Sequence, residues 1–234
     1  WQAAQQEELA NWQHTIGTTR DILAEMADSA ALDGFMASVS ELRKVFEQGS
    51  IEALEVGVGP LGLGWVGLFG NAASVRAWAI DPLPLLPVEL VPDKDLASFI
   101  SQKRRNYRFF QAAAEEAQFP PERMQLIVCD NVLDHAQKPL VILKNCWRWL
   151  SVHGFLVVGV NTLSLAGLIK WRLLQRVRPT NRNFVMHPHC GTHRAWRSAL
   201  VRAGFCITRE QGPAIVRRIL GHAMRSYFAC QKKL

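Results

Sequence analysis

Short apolar runs alternate along the chain with longer segments in which apolar residues recur about every 3.6 positions. A run of about four to eight apolar residues between turn residues is typical of a buried strand, and the longer period is typical of a helix that buries one face. Seven runs predict strands, at 51–56, 75–80, 107–111, 125–129, 155–160, 205–208 and 226–229. The alternation of strands and helices predicts an α/β fold with a doubly wound, mostly parallel seven-stranded sheet.

The first part of the chain has the helical period and no strand-like run. This pattern predicts a helical N-terminal cap over 1–48, followed by the core over 49–234. A length of 234 residues suits one domain over the whole chain. Inside the core, a helix is predicted over 139–150, and its period predicts a buried stripe of Leu140, Leu143, Trp147 and Leu150.

The first predicted strand ends in a glycine turn with Gly57 and Gly59, and the second ends in a lone carboxylate, Asp81. Glycines allow a sharp turn and a close approach of the backbone to a ligand, and an acid at the end of the second strand accepts hydrogen bonds from ribose hydroxyls. Glu55, just before the glycines, would repel a pyrophosphate but can hold an ammonium group. A ligand with a ribose and an ammonium group indicates S-adenosylmethionine (SAM).

Four segments resemble the class I SAM-dependent methyltransferases, most closely their methyltransferase-11-like small-molecule branch. These segments are 55–59 (EVGVG), 80–83 (IDPL), 125–135 (QLIVCDNVLDH) and 149–155 (WLSVHGF). The resemblance implies a Rossmann-like methyltransferase fold and SAM as methyl donor. It places Glu55 near the methionine amino group, Gly57 and Gly59 beneath the ligand and Asp81 on the ribose, and its motifs add Pro82 and Asp130 to the cofactor site.

The chain departs from the family pattern between the third and fourth predicted strands. Members of the family usually carry Gly-Asp-Ala-Glu there, with the Asp on the adenine amino group, whereas this chain reads AAAEE at 112–116. Ala113 offers no side-chain acceptor. Adenine would then be held by backbone groups, by Glu115 or Glu116, or by stacking.

A second departure is the presence of Gly64, Gly67 and Gly70 in the helix that should follow the glycine turn. Each glycine costs about 1 kcal/mol relative to alanine inside a helix. This helix is therefore expected to be short or closely packed.

Three histidines are candidates for the chemistry of methyl transfer. His135 follows the fourth predicted strand, at the sheet edge where ligands bind in such folds, and a neutral imidazole is the usual base near neutral pH. His187 and His189 belong to a cluster of possible ligands with Cys190 and His193. Its single cysteine and tight spacing do not suit a tetrahedral zinc site, so no metal is expected and His187 or His189 is expected to contact the substrate.

A basic, amphipathic helix is predicted over 163–178, within a segment around 161–191 that we expect to act as a lid. A membrane surface or phosphate groups are the alternatives for this helix. The net charge of +7 also permits nucleic acid as a partner, although neither nucleic acid nor a membrane is favoured. Five scattered cysteines are expected to be reduced thiols, and the absence of a signal-like segment predicts a cytoplasmic protein.

These observations predict an enzyme, a SAM-dependent methyltransferase acting on a small molecule. The expected acceptor is an oxygen of a sugar or secondary metabolite; the oligomeric state is left open. Two alternatives remain: methylation of RNA, and a non-catalytic partner subunit that has lost good SAM binding, as Ala113 would allow. A nicotinamide-dependent reductase is disfavoured by Glu55 and by the lack of a Tyr-xxx-Lys pair.

Overall fold

The computed structural model describes residues 2–47, 49–70, 75–212 and 224–232. The strands of this part of the chain are β1 (Ile51–Val56), β2 (Val75–Asp81), β3 (Tyr107–Gln111), β4 (Met124–Asp130), β5 (Leu150–Thr162), β6 (Phe205–Gln211) and β7 (Met224–Lys232). The helices are α1 (Gln2–Ile16), α2 (Thr19–Ala37), α3 (Ser40–Glu47), α4 (Trp65–Leu68), α5 (Lys94–Lys103), α6 (Pro139–Trp149), α7 (Leu165–Val177), α8 (Arg182–Met186) and α9 (His193–Arg202).

The strands form one sheet in the order β3-β2-β1-β4-β5-β7-β6. Strands β1 to β5 pair in parallel, and β7 runs antiparallel to both β5 and β6. The predicted doubly wound, mostly parallel seven-stranded sheet is confirmed. The strand order reverses between β1 and β4, and ligands of such sheets bind in the crevice at the carboxyl ends of these two strands.

Alternate residues of each central strand belong to different cores, because successive side chains of a strand point to opposite faces. In β1, Leu54 and Val56 join the core under α6 and α9, whereas Ile51 and Ala53 join a core that includes α2 and α3. Both faces are thus covered, which explains why the central strands read as continuous apolar runs.

The N-terminal helices divide into two groups with different positions. Helices α2 and α3 contribute buried residues to the core on one face of the sheet, so they are part of the main layer structure and not a separate cap. Helix α1 packs instead with α2, the glycine turn and the segment after β2, through Ile16 and its half-buried residues Leu9 and Trp12. This position brings α1 over the carboxyl edge of the sheet.

The helix after the glycine turn is a single turn, α4, as the glycines predict. A Cβ atom on Gly67 would lie 2.6 Å from the carbonyl oxygen of Gly62, and one on Gly70 would lie 2.9 Å from the backbone of Val66. These glycines allow the turn and the helix to pack backbone against backbone.

The predicted stripe of α6 is wrong in part. The buried residues of this helix are Ile142, Leu143, Cys146 and Trp149, whereas Leu140 is 46% exposed. The helix begins at Pro139. Its buried residues recur every three or four positions from Ile142, so the face that packs on the sheet is rotated from the stripe predicted to start at Leu140.

Strand β5 is also longer than predicted. It begins at Leu150, five residues before the predicted start at 155, and in this added part His153 has a positive φ of 64° and the pairing with β4 shifts register. In the described part of the chain, no helix is long and apolar enough to cross a membrane.

Candidate functional site

A cavity of about 120 Å³ lies at the carboxyl ends of β1, β2 and β4. Its walls include the glycine turn, the end of β2 and the segment after β4, and side chains of α1 and α2 close its outer side. The cavity therefore occupies the crevice that the reversal of strand order predicts.

The glycine turn has the backbone conformation that glycine favours. Gly57, Gly59 and Gly62 have φ values of 77°, 73° and 66°, in the left-handed region. A Cβ atom on Gly57 would lie 2.1 Å from Val132, and one on Gly59 would lie 3.3 Å from the ring of Trp12. Side chains are thus excluded here by conformation and by close neighbours, and the backbone faces the cavity directly.

Glu55 is buried at the end of β1 and lines the cavity. Its two carboxylate oxygens accept hydrogen bonds from the backbone N–H groups of Trp65 and Val66, at 3.0 and 2.9 Å, at the start of α4. Burial raises the pKa of Glu55 to about 8, although these two hydrogen bonds oppose the shift. The glutamate therefore joins β1 to α4 as well as facing the site.

Asp81, at the end of β2, connects the glycine turn to the next loop. Its Oδ2 accepts from the N–H of Gly59 at 2.9 Å, and its Oδ1 accepts from the N–H of Leu83 at 2.8 Å. A carboxylate has about four acceptor positions, so both oxygens can still accept from ligand hydroxyls. Burial raises the pKa of Asp81 to about 6.

Helix α1 closes the cavity with Glu8 and Trp12. Arg182 of α8 holds this helix by hydrogen bonds to the carbonyl oxygen of Glu7 at 3.3 Å and to Asn11 at 3.1 Å. Burial, together with the charge of Asp81, raises the pKa of Glu8 to about 7. The N-terminal helix thus supplies both an aromatic ring and a carboxyl group to the site.

Three charged side chains from distant parts of the chain lie together and form another wall of the cavity. Arg225 of β7 contacts Asp130 at 3.2 Å and Asp28 of α2 at 3.0 Å. A Cβ atom on Gly159 would lie 1.8 Å from Asp130, so this glycine makes room for the aspartate. Burial raises the pKa of Asp130 to about 6 and that of neighbouring Glu25 to about 7.

The lining of the cavity is rich in carboxyl groups. The acids are Glu8, Glu25, Asp28, Glu55, Asp81, Glu115 and Asp130. Arg225 is the one Lys or Arg among the described residues that line it. Because a low-dielectric site strengthens attraction between opposite charges, this arrangement favours a cationic ligand.

The segment after β3 lies where the sequence predicts contacts with adenine. Ala113 and Pro82 line the cavity. Glu115 also lines it, but its Oε1 accepts from the N–H groups of Gln137 and Lys138, at 3.1 and 3.0 Å. Glu116 is exposed and lies outside the lining. The structure thus brings seven of the eight predicted cofactor residues together and leaves Glu116 apart.

His135 lines the cavity, and its environment keeps it neutral. Burial lowers the pKa of His135 to about 4. Its Nδ1 lies 4.0 Å from Glu8 Oε1 and its Nε2 lies 3.9 Å from Asp134 Oδ2. Neither nitrogen makes a well-formed hydrogen bond with a described residue, although the backbone of Met186 lies close enough to oppose part of the lowering of the pKa. The imidazole therefore has a free lone pair at neutral pH.

His187 lies behind His135, with the two ring centres 4.1 Å apart. Its Nδ1 donates to Asp134 Oδ2 at 3.1 Å, and Asp134 is fully buried. Burial raises the pKa of Asp134, but the hydrogen bond from His187, together with electrostatic attraction to the two imidazole rings, outweighs it, and the pKa lies below its usual range. The ligand atoms of Asp134, His135 and His187 lie within 4.8 Å of one another, a spacing that a metal ion could bridge.

His189 lies outside the main cavity. Its backbone N–H donates to the carbonyl oxygen of Asp134, and its Nε2 donates to the carbonyl oxygen of Gln137, both at 3.2 Å. It lines a second cleft beside α7 and not the main cavity. His193 contacts Glu210 at 3.5 Å and stacks on Phe228. Cys190 forms no disulfide, and its thiol donates to the backbone carbonyl of His187 at 3.7 Å and not to either imidazole ring.

Several residues of the site were not anticipated from the sequence. They are Glu8, Trp12, Glu25, Asp28, Asn131, Asp134 and Arg225. Asp134 had a signal, since it directly precedes His135 in the motif after β4. Asn131 lies in the same motif, directly after β4. The others lie on α1, α2 and β7, distant in sequence from the motifs, and no local motif marks them.

Comparison with known proteins agrees with this geometry. Residues 66–158 match a family model described as a methyltransferase domain. A search of curated protein sequences found no match.

Solved structures share the fold at low sequence identity. 1,6-Didemethyltoxoflavin-N1-methyltransferase from Burkholderia thailandensis, with its substrate and S-adenosylhomocysteine bound, has a TM-score of 0.62 at 14% identity, over 100% of this chain and 89% of that one. A provisionally named methyltransferase from Bacillus halodurans has a TM-score of 0.62 at 15% identity, over 89% and 100%. The [4+2]-cyclase SpnF has a TM-score of 0.56 at 14% identity, over 82% and 81%.

Residues 66–158 are thus matched to a methyltransferase domain, and the sheet, with its site at the strand reversal, has the Rossmann-like methyltransferase fold of an enzyme of this kind. SAM is its cofactor. The residues present fit this cofactor in chemistry: carboxylates face a ligand that carries a sulfonium and an ammonium group, Asp81 can accept from ribose hydroxyls, and Arg225 can contact a carboxylate.

Proposed function

We propose that the chain methylates a hydroxyl oxygen of a small molecule and that His135 accepts the hydroxyl proton. One observation carries this proposal: a neutral imidazole, without a well-formed hydrogen bond at either ring nitrogen among the described residues, lines the cavity beside two carboxyl groups. Neutral hydroxyls are weak nucleophiles, and a positioned base that removes their proton contributes about 10²–10⁴-fold to the rate.

The reaction needs few groups beyond those of the cavity. Bound SAM supplies an electrophilic methyl group on a sulfonium sulfur. As the bond between the acceptor oxygen and the methyl carbon forms and the sulfur–carbon bond breaks, His135 takes the proton from the acceptor oxygen. The imidazolium then lies 3.9 Å from the carboxylate of Asp134, which stabilises its charge.

His187 has a positioning role in this proposal. Its hydrogen bond to Asp134 fixes the proton on Nδ1, and its ring packs against that of His135. The pair of rings and the buried aspartate therefore set the orientation of the base. His189 has no part in the chemistry, because its ring nitrogen is engaged by Gln137 outside the cavity.

Cofactor binding is proposed to involve α1. A volume of about 120 Å³ is smaller than the roughly 300–1,000 Å³ that is usual for ligand sites. Trp12 and Glu8 occupy the outer part of the site. We therefore expect α1 to shift outward when SAM enters, with Trp12 covering the bound ligand over the glycine turn.

A panel of acceptors tests the class of substrate. We expect release of S-adenosylhomocysteine with sugars or phenols, less with amines, and none with RNA, and a chelator should leave the rate unchanged. Turnover of RNA alone would favour the RNA-methylating alternative. SAM binding without turnover of any acceptor in a broad panel would favour the non-catalytic alternative.

SAM binding is expected to strengthen as the pH rises from 6 to 8. In the free protein, burial raises the pKa of Asp81 and Asp130 to about 6, of Glu8 and Glu25 to about 7, and of Glu55 to about 8. A cation favours the ionised carboxylates, so binding releases protons, and each proton released strengthens affinity by about tenfold per pH unit until the free group is itself ionised.

Calorimetry in two buffers of different ionisation enthalpy measures both the affinity and the number of protons released. S-adenosylhomocysteine, which lacks the sulfonium charge, serves as the control and should depend less on pH. Equal or weaker SAM binding at pH 8 would show that these carboxyl groups do not face the charged part of the ligand.

A further inference from the structure

One side of α7 exposes a row of large apolar side chains. Its exposed residues are Leu165, Ile169, Leu173, Leu174 and Val177, and their exposed fractions lie between 41% and 76%. Single exposed apolar residues are common, but a contiguous patch on a soluble protein usually marks a surface that binds a partner.

The row is the face of α7 that points away from the protein. Gly167 is buried on the opposite face, and Leu168, Trp171 and Gln175 are half-buried there. Trp171 packs edge-on against Phe184 of α8, with ring centres 4.6 Å apart. The spacing of four residues from Leu165 to Val177 aligns the exposed side chains along one stripe. Folding α7 down as a lid would therefore turn an already packed face, and not this stripe, toward the site.

Basic side chains flank the stripe on both sides. Arg172 and Arg176 project beside one edge of the helix and Lys170 beside the other, and all three are exposed. Arg202 of α9 and Arg172 line the same cleft, so the positive surface continues beyond α7.

The surrounding sequence has an extreme charge bias. Residues 135–209 contain twelve Lys and Arg and no Asp or Glu, whereas nineteen of the twenty acids of the chain precede this segment and one, Glu210, follows it. The net charge of the chain is +7, so this segment carries more positive charge than the protein as a whole. This charge favours an anionic partner for the segment.

The combination of an aliphatic stripe and basic edges selects among anionic partners. A second copy of the same face would bring like charges together, which opposes self-association. Nucleic acid offers phosphates for the basic residues but no apolar surface for Leu173 or Val177. An anionic bilayer offers both, because its headgroups attract Lys and Arg while its acyl boundary accepts the apolar stripe.

We propose that α7 lies in the surface of an anionic lipid bilayer, with the stripe of Leu165, Ile169, Leu173 and Val177 directed into the acyl boundary. The helix has 13 residues, fewer than the roughly 20 that a membrane span needs, so it lies along the surface. This surface is separate from the cofactor cavity, and the proposal holds for any acceptor.

Flotation with lipid vesicles tests the proposal. The protein is mixed with vesicles of phosphatidylcholine alone and with vesicles that also contain phosphatidylglycerol. We expect binding to the anionic vesicles, little binding to the neutral ones, and weaker binding as salt is added. Leu173→Glu should lower the partition onto anionic vesicles by at least about tenfold, since it places a charge in the acyl boundary.

Leu23→Glu is the matched control, because Leu23 is the same residue type on α2 with a similar exposure, 52% against 56% for Leu173. It should bind vesicles like the parent chain. A double variant, Arg172→Gln with Arg176→Gln, should weaken binding to anionic vesicles without changing SAM affinity, which also verifies folding.

Three results would overturn the proposal. The first is failure of the parent chain to float with anionic vesicles. The second is equal loss of binding in Leu23→Glu and Leu173→Glu, or no loss in either. The third is evidence for a different partner of this surface. That evidence would be a dimer in sedimentation velocity that Leu173→Glu dissociates, or tight RNA binding that competes with vesicles and is unaffected by Leu173→Glu.

Discussion

Replacing His135 with alanine is expected to lower turnover by roughly 100-fold or more while SAM affinity stays within a few-fold. The imidazole is proposed to act on the acceptor proton in the transition state, and the same proposal assigns the ribose and ammonium contacts of SAM to other residues. The variant removes the neutral ring that lines the cavity and leaves Asp134 and His187 hydrogen-bonded to each other. Single-turnover rates with an identified acceptor, together with calorimetry for SAM, measure the two effects separately.

His189→Ala provides the control for this experiment. The residue is also a histidine of the predicted group, but its ring contacts Gln137 outside the cavity. It should keep near-normal turnover. If His135→Ala also keeps near-normal turnover, alignment of acceptor and methyl group alone drives the transfer, and the base assignment is wrong.

The sheet could be predicted from sequence because its physical cause is local. Each central strand is buried on both faces, and burial on both faces requires consecutive apolar residues, as in β1 and β4. The glycine turn could be predicted for a similar reason, since a left-handed backbone conformation at Gly57 and Gly59 leaves a direct mark on the sequence.

The acidic lining of the site could not be predicted in the same way. Glu25 and Asp28 lie on α2, and Arg225 lies on β7, so their contact with Asp130 depends on the final packing of the sheet. On the sequence alone, these are ordinary charges on a helix and a strand. Only the strand order, which places β7 beside β5, brings Arg225 next to the end of β4.

The role of α1 shows a second limit. Its apolar residues at Leu9, Trp12 and Ile16 predict a helix, but not the surface on which the helix packs. The structure places Trp12 over Gly59 and Glu8 near His135. The stripe of α6 failed for a related reason, since a period of 3.6 fits more than one rotation of the helix when neighbouring positions are also apolar.

Replacing Asp81 with alanine is expected to weaken SAM binding by at least about tenfold. Hydrogen bonds to a charged acceptor contribute about 1.5–3 kcal/mol each, and two ribose hydroxyls would lose theirs. The same change leaves the N–H groups of Gly59 and Leu83 without their carboxylate acceptor, so the glycine turn also loses an anchor. Asp81→Asn keeps the size of the side chain, and it should fall between the parent and the alanine variant.

Asp93→Ala is the matched control, because it also removes an aspartate whose carboxylate accepts hydrogen bonds from the backbone. Asp93 also accepts from two backbone N–H groups, those of Asp95 and Leu96, but it begins α5 away from the cavity. Its loss should cost about 1 kcal/mol of stability and leave SAM affinity unchanged. Calorimetric titration measures the SAM affinity of each variant, and far-ultraviolet circular dichroism verifies that it is folded. Parent-like SAM affinity in Asp81→Ala would mean that the ribose is held elsewhere. A loss of affinity confined to the Asp81 variants would assign the end of β2 to the cofactor.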